Sequence, residues 1–185
     1  MSTARRLNYS YADYLQALEL SPLKLEYWAG EILAMAGGTP EHEALVAAVM
    51  LALGSRLPAG CRPFGSNMKV KIREFTLLPD ASVVCGKLAR AADDETAVVN
   101  PSLVIEVTSQ STEAFDRGAK LERYKLLKPL RSIWIVSHAA PRVTVIERAG
   151  KSWRSSERGP GERLTLDSPP LTVDVDELYA VLDGL

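Results

Sequence analysis

Apolar and polar positions recur with two different periods along the chain, and each change of period marks an element. Residues 11–20 repeat at helical spacing behind Ser10, a capping residue, and Pro22 ends the run. Two short runs, 24–28 and 31–35, flank Ala29-Gly30 and predict a hairpin. Gly37-Gly38-Thr39-Pro40 opens a long helix that reaches about Leu57, with proline near its first position. Residues 61–65 and 68–73 predict a second hairpin, turning at Ser66-Asn67. The β-branched runs 81–85 and 103–108 do not alternate and read as strands buried on both faces. Between them 87–100 is polar and reads as a loop with an acidic cluster, Asp93-Asp94-Glu95. A second long helix is predicted from about Thr112 to Leu127, after the capping segment Ser109-Gln110-Ser111-Thr112. Strands follow at 132–137 and 142–148, weaker ones near 151–155 and 163–166, and a short helix at 175–182. The order predicts one α+β domain over 1–185: a mixed β-sheet flanked by helices, with an N-terminal helix–hairpin and C-terminal β-strands.

Two helices depart from a simple amphipathic pattern. The first long one is apolar nearly all round between Ala44 and Leu53, so a single sheet cannot cover it. Either a second layer or a second subunit must. In the second helix, at about 100° per residue, Asp116, Lys120 and Tyr124 share one arc. Phe115, Ala119, Leu126 and Leu130 form an adjoining apolar arc, and Arg117, Lys125 and Lys128 an outward basic one. A helix that only covers a sheet needs the last two; the polar arc beside the core is surplus.

With 46% hydrophobic and 24% charged residues in 185, the chain is neither disordered nor low-complexity. A net charge of -1 excludes a uniformly basic polyanion binder, yet the charge is uneven. Residues 62–73 hold four basic residues and no acid; 113–131 hold six basic residues against three acids; 157–185 hold seven acids against two basic residues. Such segments are ordinary solvated faces unless they converge beside a reactive site. No run approaches the roughly 18 apolar residues of a membrane span, and residues 1–10, with Arg5 and Arg6, lead into no apolar signal segment. A cytoplasmic protein without membrane contact is expected. Cys61 and Cys85 make neither a disulfide framework nor a metal knuckle, and with only His42 and His138 no tetrahedral zinc site is expected. The phosphate-loop, dinucleotide and nucleophile-elbow motifs are missing, so no nucleotide cofactor is expected.

The chemistry concentrates in Pro79-Asp80, Glu106-Val107-Thr108 and Lys120. A carboxylate in so apolar a run is costly unless paired or ligated. Two from neighbouring strands can converge on one hard cation, with Lys120 a compact positive charge beside them. Taken singly, each has an ordinary reading: Asp80 caps a turn, Glu106 meets a base, Lys120 is a surface lysine.

That order of motifs, with Tyr27…Gly30-Glu31, Thr39-Pro40-Glu41-His42, Asp116…Lys120…Tyr124 and the run Ile133-Trp134-Ile135-Val136, resembles the Uma2 family (DUF820) of the PD-(D/E)XK, restriction-endonuclease-like superfamily. The resemblance implies a Mg²⁺- or Mn²⁺-dependent endonuclease acting on DNA. Asp80 and Glu106 would be its metal acids, with the Val107 carbonyl a third ligand. Lys120 would be the catalytic lysine, displaced to the helix because Thr108 occupies the usual Glu-x-Lys position. Glu31 would be an early acid able to reach the metal or its water. His42, Asp116 and Tyr124 stand as accessory candidates, although His42 also reads as the end of the core stripe Leu45, Val49, Leu53. Arg62, Lys69, Lys71, Arg117 and Lys125 are candidates for the DNA backbone. A homodimer would explain both the all-apolar helix and the cutting of two strands. The alternative is a catalytically silent nuclease-fold module that binds or assembles.

Overall fold

A computed structural model describes residues 8–35 and 37–185; Arg5 and Arg6 lie outside them. Helix α1 (Tyr11–Leu20) begins with a capping box in which Ser10 and Asp13 satisfy each other's free amides. Strands β1 (Leu25–Trp28) and β2 (Glu31–Ala34) form the expected hairpin. Its turn needs left-handed backbone at Ala29 and Gly30, and a Cβ on Gly30 would meet Asn8 Oδ1 at 1.7 Å. Helix α2 (Pro40–Arg56) starts where the hydroxyl of Thr39 accepts from the amide of His42.

The strands then divide between two six-stranded sheets. One has the order β2-β1-β5-β4-β8-β7, where β4 is Lys69–Ile72, β5 Phe75–Leu77, β7 Arg90–Ala91 and β8 Asp94–Val98. The other runs β12-β11-β10-β9-β6-β3, with β3 Cys61–Gly65, β6 Ala81–Cys85, β9 Leu103–Val107, β10 Ser132–Val136, β11 Val143–Ala149 and β12 Ser152–Arg158. In this second sheet only β9 and β10 run parallel. The connection between them carries a helix over 113–124, built of α3 (Glu113–Phe115), a π turn (Asp116–Lys120) and α4 (Leu121–Tyr124). A hairpin of β13 (Arg163–Asp167) and β14 (Pro170–Asp174) and helix α5 (Val175–Tyr179) close the chain.

The pleat of β9 sorts the interior into two cores. Leu103, Ile105 and Val107 face a core shared with α2, α5 and the β13–β14 hairpin. Val104 faces the other, between the two sheets, with Val70, Leu77, Ile133 and Tyr124. The all-apolar helix is thus covered within the chain: α2 lies between the second sheet and the layer of α5 and β14. A second subunit is not required to bury it, although Leu51 stays 74% exposed.

Several expectations are corrected. Residues 61–65 and 68–73 are strands but not a hairpin. The turn after Gly65 passes the chain from one sheet to the other, β3 pairing with β6 and β4 with β5 and β8. Residues 87–100 are not a loop but carry β7 and β8, because Asp94, Ala97 and Val98 are buried beside β4. Cys61 and Cys85 are directly paired across β3 and β6 and joined by a disulfide. The arcs of helix 113–124 are reversed. Asp116, Lys120 and Tyr124 are its innermost residues, whereas Phe115, Ala119 and Leu126 are exposed and only Leu130, beyond the helix, is buried as the apolar arc requires.

Burial also reassigns Lys69. Its ammonium meets Asp94 Oδ2 at 2.6 Å, and Asp94 accepts further from Tyr11 and Thr96. Burial alone would raise this carboxyl, but these donors overcome it and hold the pKa down to about 2. A depressed carboxyl stabilises the fold fully above its ordinary 3.8 and loses that contribution as pH falls toward about 2. Lys69→Met should therefore cost about 3–5 kcal/mol near neutral pH, read by urea unfolding. The gap between the wild type and Asp94→Asn should close as pH falls through that window; a gap independent of pH would contradict this account.

Candidate active site

The antiparallel register of β6 and β9 pairs Ser82 with Val104 and Ala81 with Ile105. One step further brings Asp80 across from Glu106, on the same face of the sheet, where directly opposed side chains start about 5 Å apart. Both line a cleft of about 590 Å³ between the β1–β2 hairpin, the start of α2 and helix 113–124. Asp80 Oδ2 accepts from the Val107 amide at 2.8 Å and faces His42 Nε2 at 3.5 Å. Glu106 Oε1 accepts from the Tyr124 hydroxyl at 2.5 Å and meets Lys120 Nζ at 2.9 Å.

Lys120 has two more carboxylates around it: Glu26 Oε1 at 3.2 Å and Asp116 Oδ1 at 3.9 Å. Glu26, on β1, is itself fixed by the amide of Leu78 at 2.8 Å and the indole of Trp28 at 3.0 Å. The π turn bears on this directly, since Asp116 and Lys120 are its two ends and both point inward. Such insertions recur at functional sites because they re-aim side chains at small cost.

All of these charges are deeply buried; Lys120 and Glu106 are each 2% exposed. Burial would push the Lys120 ammonium down, but Glu106, Glu26 and Asp116 more than reverse this and hold it protonated. Burial pushes the Glu106 carboxyl well up against the pull of Lys120, and Asp80 and Asp116 add to the rise. Asp116 is raised for the same first reason. The cluster therefore holds more carboxylates than cations. Groups raised in this way favour the fold most at pH below their ordinary values and lose that contribution as pH rises.

Among the described residues, no three His, Cys, Asp or Glu side chains form a ready-made metal cage. The donor chemistry nonetheless fits a hard cation of the magnesium type, which is held by one or two carboxylates and completed by water and phosphate. Asp80 and Glu106 each have one oxygen engaged, while Asp80 Oδ1 and Glu106 Oε2 take no protein hydrogen bond among the described residues.

The sequence candidates fare differently. Asp80, Glu106, Val107, Lys120, His42 and Asp116 all line the cleft, and Tyr124 supports Glu106 from behind. His42 contacts an acid rather than only ending a core stripe, and its hydrogen bond to Asp80 raises its pKa despite burial. Glu31 is not among the residues lining the cleft. It pairs with Trp28 nearer the hairpin turn, and the early acid that reaches Lys120 is Glu26, two residues before Trp28 on β1. Glu26 sits in the apolar run Leu25-Glu26-Tyr27-Trp28, so the reasoning that marks Glu106 would have found it too. The basic candidates come from β3, β4 and helix 113–124 with its C-cap. Lys69 and Lys71 are on β4, bound to Asp94 and Asp93, and Arg62 is on β3. Arg117 is held by Glu113 and Thr144, and Lys125 by Glu122, both half-buried where helix 113–124 meets β11 and β12.

Comparison with known proteins bears on the family and the fold. The profile of the Uma2 family, described as putative restriction endonuclease, matches residues 11–176. Two uncharacterised proteins from Synechocystis sp. are similar in sequence. One is 31% identical over 172 residues, covering 90% of this chain and 89% of the relative. The other is 30% identical over 152 residues, covering 79% and 85%. In fold the chain resembles a crystal structure described as a putative nuclease belonging to DUF820 from Anabaena variabilis. The TM-score is 0.72 at 17% identity, with 91% of this chain and 98% of that one covered.

Removing Lys120 leaves buried carboxylates uncompensated. Lys120→Met should destabilise by about 3–5 kcal/mol near neutral pH, and the loss should shrink toward pH 4.5 as Glu106 and Asp116 take up protons. Tyr124→Phe, which removes only one donor to Glu106, should cost about 1–3 kcal/mol. Urea unfolding of both variants across that range checks the pattern; an equal loss for Lys120→Met at both ends would contradict it.

Proposed function

The chain belongs to the Uma2 family, and we propose that it is a divalent-cation-dependent endonuclease hydrolysing phosphodiester bonds in DNA. The observation that carries this reading is the convergence of Asp80, Glu106 and Lys120 on one cleft from β6, β9 and the helix between β9 and β10. Lys120 is held protonated directly beside Glu106, where its charge can reach a phosphate brought to the cleft.

Asp80 Oδ1 and Glu106 Oε2 would hold Mg²⁺ or Mn²⁺, with the Val107 carbonyl a third ligand. When bound, the cation supplies Lewis-acid polarisation of a phosphate oxygen and lowers the pKa of an attacking water. The remaining work falls to the chain's own groups. Tyr124 and the Val107 amide fix the two carboxylates, so their uncommitted oxygens are held in place before substrate arrives. Lys120 keeps its proton through Glu26 and Asp116 and offers fixed positive charge to the negative charge that develops on the phosphate. Its side chain cannot swing out to solvent, so little reorganisation is needed at the moment of reaction. His42, hydrogen-bonded to Asp80, adds a donor on the cleft's α2 side.

The test is a calorimetric Mn²⁺ titration of the wild type and Asp80→Asn, with plasmid nicking measured on the same preparations. The wild type should bind Mn²⁺ and nick, and chelation should stop the nicking. Asp80→Asn should lose binding and at least about 100-fold in rate. Nicking that survives in Asp80→Asn, or a wild type that neither binds nor nicks, would sink the proposal.

A further inference from the structure

The cleft that holds the acids has a second, apolar wall that hydrolysis leaves unused. Leu23, Leu33, Met35, Val46 and Phe115 line it together with the carboxylates. Leu23 is 55% exposed and Phe115 36%, so neither is packed away as core. Phe115 immediately precedes Asp116, and its ring leans on Trp28 with centroids 4.7 Å apart. An aromatic ring backed by a second ring beside the reacting groups is a platform that a phosphate cannot use. The nucleotide has one part that can, the face of its base.

Charge points the same way. Among the described lining residues, Glu26, Glu43, Asp80, Glu106 and Asp116 stand against the ammonium groups of Lys24 and Lys120. Lys24 is also engaged, donating to Ser66 Oγ at 2.6 Å. A duplex brings about one phosphate charge per 1.7 Å of axis, and four of the five basic residues considered for the DNA backbone are bound to acids of the chain. A single strand brings a lower charge density and has exposed base faces, which stack on aromatic side chains whatever the sequence. In a duplex those faces are covered by neighbours and must first be unstacked at a cost.

We propose that Phe115 and Leu23 receive an unpaired nucleobase beside the phosphate under attack, so that the preferred substrate is single-stranded or locally unpaired DNA. This rests on the nuclease reading for the position of the phosphate. The test uses the full chain and one fluorescent oligonucleotide sequence, offered as single strand and as duplex. Binding is read by anisotropy in Ca²⁺, an oxygen-seeking ion, and cleavage in Mn²⁺. The single strand should bind at least tenfold more tightly. Phe115→Ala should lose roughly tenfold of that affinity, Phe115→Trp should restore it, and Leu51→Ser, on the exposed side of α2, should change nothing.

Duplex bound as tightly as single strand, or Phe115→Ala binding the single strand like the wild type, overturns the proposal. If both substrates are cut equally, the nuclease reading stands and this one falls. If neither is cut but the single-strand preference and its dependence on Phe115 persist, the base platform stands and the nuclease reading falls. Binding of neither overturns both.

Discussion

A protonated lysine enclosed by three carboxylates organises this molecule. Lys120 comes from the crossover helix, Glu26 from the first sheet and Glu106 from the second, so one ammonium ties together the elements that must meet for a cleft to exist. Buried ion clusters of this kind contribute little net stability, because desolvation offsets most of the attraction. Their effect is to make any other packing worse. A helix rotated by a few tens of degrees would leave Glu106 and Glu26 as bare charges between two sheets. Register is fixed by the same penalty. A one-residue slip of β9 would turn Glu106 into the apolar core and Val107 toward the lysine.

This arrangement explains which parts of the fold are legible from sequence. Helix α1, the first hairpin and α2 are bounded by signals that act within a few residues: the Ser10 capping box, left-handed Ala29-Gly30, and Thr39-Pro40. Strands β6 and β9 are legible because both their faces are buried. Pairing partners are another matter. Strand β3 takes β6 and β4 takes β5 for reasons that lie many residues away, and a local turn at Ser66-Asn67 carries no information about them. The same distance hides the partnership of Cys61 and Cys85, which only the register brings together.

The structure brings Asp80, Glu106 and Lys120, the residues marked from sequence, into one cleft, whereas helix 113–124 sits otherwise than its pattern suggests, for a physical reason. Reading the inner face of helix 113–124 as its apolar arc assumes an apolar core. Here the core beneath the helix is charged, so Asp116 and Lys120 turn in and Phe115 is released to the cleft. The Gly30-Glu31 pair points to Glu31, whereas the acid that reaches Lys120 is Glu26, a lone carboxylate in an apolar strand. Four of the five basic candidates meet an acid of the same chain, a pairing that the order of charges along the sequence does not show.

Central to the proposed function is that Asp80 and Glu106 would hold one cation between them. The most direct measurement is anomalous diffraction from crystals grown with Mn²⁺. The account predicts a single strong peak in the cleft, about 2.0–2.6 Å from both Asp80 Oδ1 and Glu106 Oε2. Its occupant should vanish in Asp80→Asn crystals. A cleft with no peak at millimolar Mn²⁺, or an ion bound away from these two oxygens, would contradict it.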